Sequence, residues 1–74
     1  LRYDLPKDEL VTITVYDMLG NAVKNLVNAN QSSGHKSVQW DATNYQGHPV
    51  SAGVYLYTIE AGDFRQTKKM ILLK

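Results

Sequence analysis

The chain has 74 residues, 43% of them hydrophobic and 20% charged, with two histidines, no cysteine and a formal net charge of +1. These figures allow one small domain, residues 1–74, exclude a disulfide framework and a thiolate zinc site, and disfavour the deep cleft of an ordinary enzyme. The charge is too small to call for nucleic acid, and no apolar run approaches the roughly 20 residues that span a bilayer, so neither nucleic-acid binding nor membrane insertion is expected.

Val, Ile and Thr supply 15 residues and aromatics another 7, in short runs separated by Gly, Asn, Ser and Pro, which is the vocabulary of an all-β chain. Leu1 to Leu5 alternates and ends at Pro6, which has no N–H for a ladder. The clearest strand runs from Leu10 to Asp17, where Val11, Ile13 and Val15 alternate with Thr12, Thr14 and Tyr16 and so share one buried face. Turn chemistry follows in 17–21, with Gly20 free to take positive φ and Asp17 and Asn21 able to bond nearby backbone.

Segment 22–28 fits both a helical stripe and a strand face, but seven residues flanked by asparagines are too few for a stable helix, so an irregular edge strand is predicted. After a polar loop, Lys36 to Trp40 reads as a strand with Val38 and Trp40 on one face. The stretch 41–53 is a long connection with a short strand near Val50. Tyr55, Tyr57 and Ile59 then share a face of a strand that turns at 61–63 into a last run, Phe64 to Lys74. About seven short antiparallel strands imply a small Ig-like β-sandwich, with Val11, Ile13, Val15, Val38, Trp40, Tyr55, Tyr57 and Ile59 in its core.

The chemistry is sparse. His35 and His48 stand thirteen positions apart, without the close pairing of a zinc site, and read as exposed loop residues. Asp17, Asp41 and Asp63 each end a strand, where an Asx side chain stabilises a turn; a Ca²⁺ site at Asp41 and Asn44 is the alternative, set back by the six to eight oxygens such an ion wants. Asn30-Gln31-Ser32 fits a glycosylation sequon. Trp40, Tyr45, Tyr55 and Tyr57 could build a stacking platform for sugars or bases, but a sandwich this small needs most of them as core filling, which leaves Tyr45 as the exposed candidate. No nucleophile and base, phosphate loop or metal set is present, so no enzyme activity and no cofactor are expected.

Charge is unevenly placed. Residues 1–64 carry four basic and seven acidic side chains, net −3, whereas 65–74 carry Arg65, Lys68, Lys69 and Lys74 and no acid. A basic last strand serves either as an edge guarded by lysine against stray pairing or as a recognised surface. Leu1 is not an initiating Met, so the chain is expected to be a fragment of a longer protein whose targeting sequence lies outside this window.

Several of these pieces fall in one order: Leu1 to Pro6, then Val11 to Gly20 with its Tyr-Asp-x-x-Gly ending, Val23 and Leu26-Val27, then Gly34 to Asp41, Asn44, Gly47, Ser51 to Tyr57, and Lys68 to Lys74. Together they resemble the C-terminal sorting domain of type IX secretion cargo, which is similar to the Ig-like domain of flagellar hook-capping proteins. The resemblance implies a seven-stranded sandwich fused to an upstream cargo domain, secreted through the periplasm to the cell surface or medium of Bacteroidetes-type bacteria. Its implied partners are the outer-membrane type IX machinery and a sortase-like protease, and Lys68, Lys69, Met70, Ile71, Leu72, Leu73 and Lys74 are the expected recognition surface. An Ig-like assembly or accessory binding module, of hook-cap or carbohydrate-binding type, is the alternative.

Overall fold

The computed structural model describes residues 1–73 as six strands: β1 (Arg2–Leu5), β2 (Glu9–Tyr16), β3 (Ala22–Gln31), β4 (Gly34–Ser37), β5 (Gly53–Ala61) and β6 (Phe64–Leu72). They form two antiparallel sheets, a small Ig-like β-sandwich. The main sheet has the order β3-β2-β5-β6 and the second is the pair β1-β4. β2 and β5, each with one apolar face, occupy the centre of the main sheet. Their Val11, Ile13, Val15, Tyr55, Tyr57, Ile59 and Ala61 form the core with Leu5 of β1 and Val23 of β3.

The sheet edges follow from local sequence. β3 runs along β2 for ten residues, longer than segment 22–28, with two register shifts that leave Leu26 and Val23 without a directly opposed residue. Asn25 fills the first irregularity, its Nδ2 donating to the Ile13 carbonyl and to Thr14 Oγ1, each at 3.2 Å. β5 and β6 are joined by two residues, of which Gly62 takes φ +59°, as a Gly-first hairpin turn requires. β1 stays short because Pro6 ends it, and the Tyr3 hydroxyl donates to Gln31 Oε1, tying the second sheet to the end of β3.

Three expectations are corrected. The short strand expected near Val50 is not formed: 41–52 holds only an isolated bridge between Thr43 and Pro49, so the sandwich has six strands among the described residues. The predicted strand 36–40 instead spans Gly34 to Ser37: its partner is the short β1, and beyond it only Val38 continues the pairing, exchanging bonds of 2.8 Å with Leu1. Val38 and Trp40 therefore pack against the core from its margin, partly buried, and do not belong to it.

Candidate functional site

β6 is an edge strand, so the basic end of the sequence lies along an open side of the main sheet. Alternation splits it into two faces. Met70 and Leu72 are partly buried against the core, Met70 opposite Tyr55, while Ile71 (65% exposed) and Leu73 (84% exposed) face solvent. Lys68 and Lys69 are both exposed; Lys68 stands opposite Tyr57 and Lys69 opposite Leu56. The expected recognition residues thus divide into two apolar anchors and an exposed set, and Lys74 lies outside the described residues. The sequence reading omitted Arg65 and Phe64 from this surface, although both are exposed on the same strand; the alternation that continues back from Lys68 to the Gly62 turn is the signal that includes them.

Beside the strand runs a groove of about 490 Å³ with β1 on one wall and the β5-β6 hairpin on the other. Tyr3, Leu5, Ile59 and Phe64 supply apolar lining, Asp4, Lys7, Glu9, Asp63 and Lys68 line it with charge, Lys7 being paired with Glu9 at 3.3 Å, and no β4 residue takes part, so the groove opens along the side of β1 away from β4. A second hollow of about 750 Å³ brings Leu1 and Trp40 next to Met70 and Leu72.

Asp17 and Asp41 are engaged in turns, while Asp63, in the turn between β5 and β6, lines the groove. Asp17 Oδ1 accepts from the N–H groups of Leu19 and Asn21, both at 2.9 Å, and Oδ2 accepts from Asn21 Nδ2 at 3.2 Å. The Asn21 backbone N–H, helped by these other donors, holds the Asp17 carboxyl below its ordinary pKa. Asp41 Oδ1 accepts from Thr43 Oγ1 at 2.5 Å and Thr43 N at 3.2 Å, and the Thr43 hydroxyl bond is the main reason its pKa is lowered too. Asn44 Oδ1 accepts from the N–H groups of Gln46 and His48, while Lys24 Nζ reaches Thr43 Oγ1 at 3.1 Å and the Asn44 carbonyl at 3.3 Å. An ammonium therefore already stands at the position considered for Ca²⁺, and among the described residues no three His, Asp or Glu side chains cluster as a metal set. His35 lies in β4 rather than in a loop, with Nδ1 2.5 Å from Asp4 Oδ1; His48 sits in the long connection.

The aromatics do not form one platform. Trp40 meets Tyr55 edge-to-face, centroids 5.2 Å apart at 72°, and donates from Nε1 to the Thr43 carbonyl at 2.9 Å; Tyr55 and Tyr57 are buried. Tyr45 stands alone in its loop, 61% exposed.

Residues 1–63 match the family model of the FlgD Ig-like domain, so the match covers β1 to β5 and ends at the β5-β6 turn. The chain belongs to the FlgD Ig-like domain family. No curated protein and no solved structure gives a match to it. Within the FlgD Ig-like sandwich of this chain, Asp17, Asp41 and Asn44 are spent on turn geometry, whereas the β6 edge and its adjoining groove present Lys68 and Lys69 without an ion pair among the described residues.

Proposed function

We propose that this domain is a non-catalytic Ig-like assembly module of hook-cap type, which holds a larger protein in an extracellular structure by docking. The observation that carries the reading is the family match over β1 to β5 of a two-sheet scaffold in which Asp17, Asp41 and Asn44 serve its own turns. Such a scaffold supplies rigid edges and faces for contact rather than a reacting group. Deleting residues 1–74 from the parent protein tests it: any catalytic activity of the parent should persist, while its incorporation into the extracellular assembly should be lost. Retained incorporation, or loss of a chemical activity that residues 1–74 restore when added back alone, would count against the reading.

A second reading, a C-terminal sorting signal for the type IX system that sends a fused cargo to the cell surface or medium, is favoured by one observation. β6 is basic, exposed from Phe64 to Lys69 and held to the core by Met70 and Leu72, so its register is fixed while Lys68 and Lys69 have no ion pair among the described residues. Fusing residues 1–74 to the C-terminus of a folded reporter in a type IX-competent bacterium separates the two. Export of the reporter supports sorting; a folded reporter held in the periplasm, where a working sorting domain exports the same reporter, supports assembly alone.

A further inference from the structure

An open sheet edge is a template for another strand unless something blocks it, and the two edges of the main sheet differ in this respect. β3 is broken by two register shifts, whereas β6 keeps nine consecutive pairs with β5, contains no proline and is exposed from Phe64 to Lys69. No backbone hydrogen bond joins the outer side of β6 to any other described residue. Of the devices that blunt an edge, β6 carries only charge. Arg65 lies 3.7 Å from Glu60, but Lys68 and Lys69 have no ion pair among the described residues, and no acid occurs between 64 and 74.

That charge selects between partners. A second copy of β6 laid antiparallel about Thr67 would set Lys69 against Arg65, and like charges directly opposed disfavour pairing. An acidic strand meets the opposite condition. Adjacent residues point to opposite faces, Lys68 toward the groove beside β1, which Asp4, Asp63 and the Lys7–Glu9 pair also line, and Lys69 toward the outer face, so a strand that sets an acid directly opposite each lysine needs two adjacent acids.

We propose that β6 takes up an acidic extended segment of a partner protein as an additional antiparallel strand, with adjacent Asp or Glu side chains opposite Lys68 and Lys69. Backbone bonds to the open edge supply the attachment, and the charge pattern supplies the choice of partner. This rests on the docking reading above, and it names the partner's chemistry.

The test uses the 74-residue chain and the synthetic peptide Val-Val-Glu-Glu-Thr-Thr-Glu-Val, whose acids fall opposite Lys69, Lys68 and Arg65 in antiparallel register. Amide hydrogen exchange followed by NMR should show the β6 amides that point away from β5 becoming protected on addition of the peptide. An N-methylated peptide with the same charges should give no such protection, since it cannot complete the ladder. Replacing both lysines by Gln should weaken binding about tenfold while circular dichroism and melting temperature stay unchanged. Lys68→Glu with Lys69→Glu should reverse the preference toward the peptide carrying Lys in place of Glu. Equal binding of the N-methylated peptide, or protection appearing elsewhere than β6, would overturn strand addition, as would no binding by the folded domain. If incorporation of the parent still depends on residues 1–74 in that event, the docking reading stands and only the mode of attachment fails.

Discussion

Removing the indole of Trp40 tests the packing account where it departs most from sequence expectation. In a fully buried site, Trp→Ala costs about 3–5 kcal/mol. Here the ring lies at the margin of the core, so only part of that loss applies, and two contacts can be named. The edge-to-face meeting with Tyr55 is worth about 0.5–1.5 kcal/mol beyond area, and the Nε1 bond to the Thr43 carbonyl about 0.5–1.5 kcal/mol. Trp40→Ala should therefore cost about 3 kcal/mol. Trp40→Phe, which keeps an aromatic edge and loses the bond, should cost about 1 kcal/mol. For a domain of this size the corresponding falls in melting temperature are roughly 15 °C and 5 °C. Urea unfolding followed by far-UV circular dichroism measures both without relying on the removed fluorophore. Combining Trp40→Ala with Tyr55→Leu should reveal a coupling of about 1 kcal/mol. A cost for Trp40→Ala below about 1 kcal/mol, or no coupling, would show that the ring does not support the sandwich as described.

Ile13 is fully buried at the centre of the main sheet, and Ile13→Ala should cost about 2–5 kcal/mol, read as a lower urea midpoint with an unchanged slope. Gly62→Ala should destabilise by about 1 kcal/mol or more in the same assay, because φ +59° strains an L side chain and the new Cβ would lie 2.7 Å from Glu9 Oε1. The lowered folded pKa values of Asp17 and Asp41 mean that the unfolded chain binds protons more tightly. Their stabilisation is complete above the ordinary value of 3.8 and is lost as pH falls through the depressed folded values. Urea midpoints measured from about pH 5 to pH 2 should fall, and Asp17→Asn, whose Oδ1 can still accept the turn bonds, should flatten that fall.

The centre of the fold was legible because β2 and β5 carry uninterrupted period-two patterns, Val11-x-Ile13-x-Val15 and Tyr55-x-Tyr57-x-Ile59, that fix which face is buried. The choice of strand over helix for β3 followed from segment length, but its two irregularities depend on long-range pairing with β2, which local pattern does not carry. Trp40 misled because alternation with Val38 continues past Ser37, whereas the pairing that would make it a strand ends with Val38. Leu5 and Val23 gave too little local signal: one precedes a proline and the other sits at a register shift, and only packing of the two sheets buries them. On the surface, the charge asymmetry pointed to the last strand. That β6 is an unbulged edge, with Lys68 beside a groove, required the sheet order.

The most direct test of the central proposal, that this domain works by docking through β6, is amide hydrogen–deuterium exchange on the full parent protein, free and within the extracellular assembly proposed for it. The account predicts that protection gained on assembly concentrates on Phe64 to Leu72 and on the facing groove residues of β1, with β3 unchanged. Protection confined to β3 or to the 41–52 connection, with β6 exchanging as fast in the assembly as in the free protein, would contradict it.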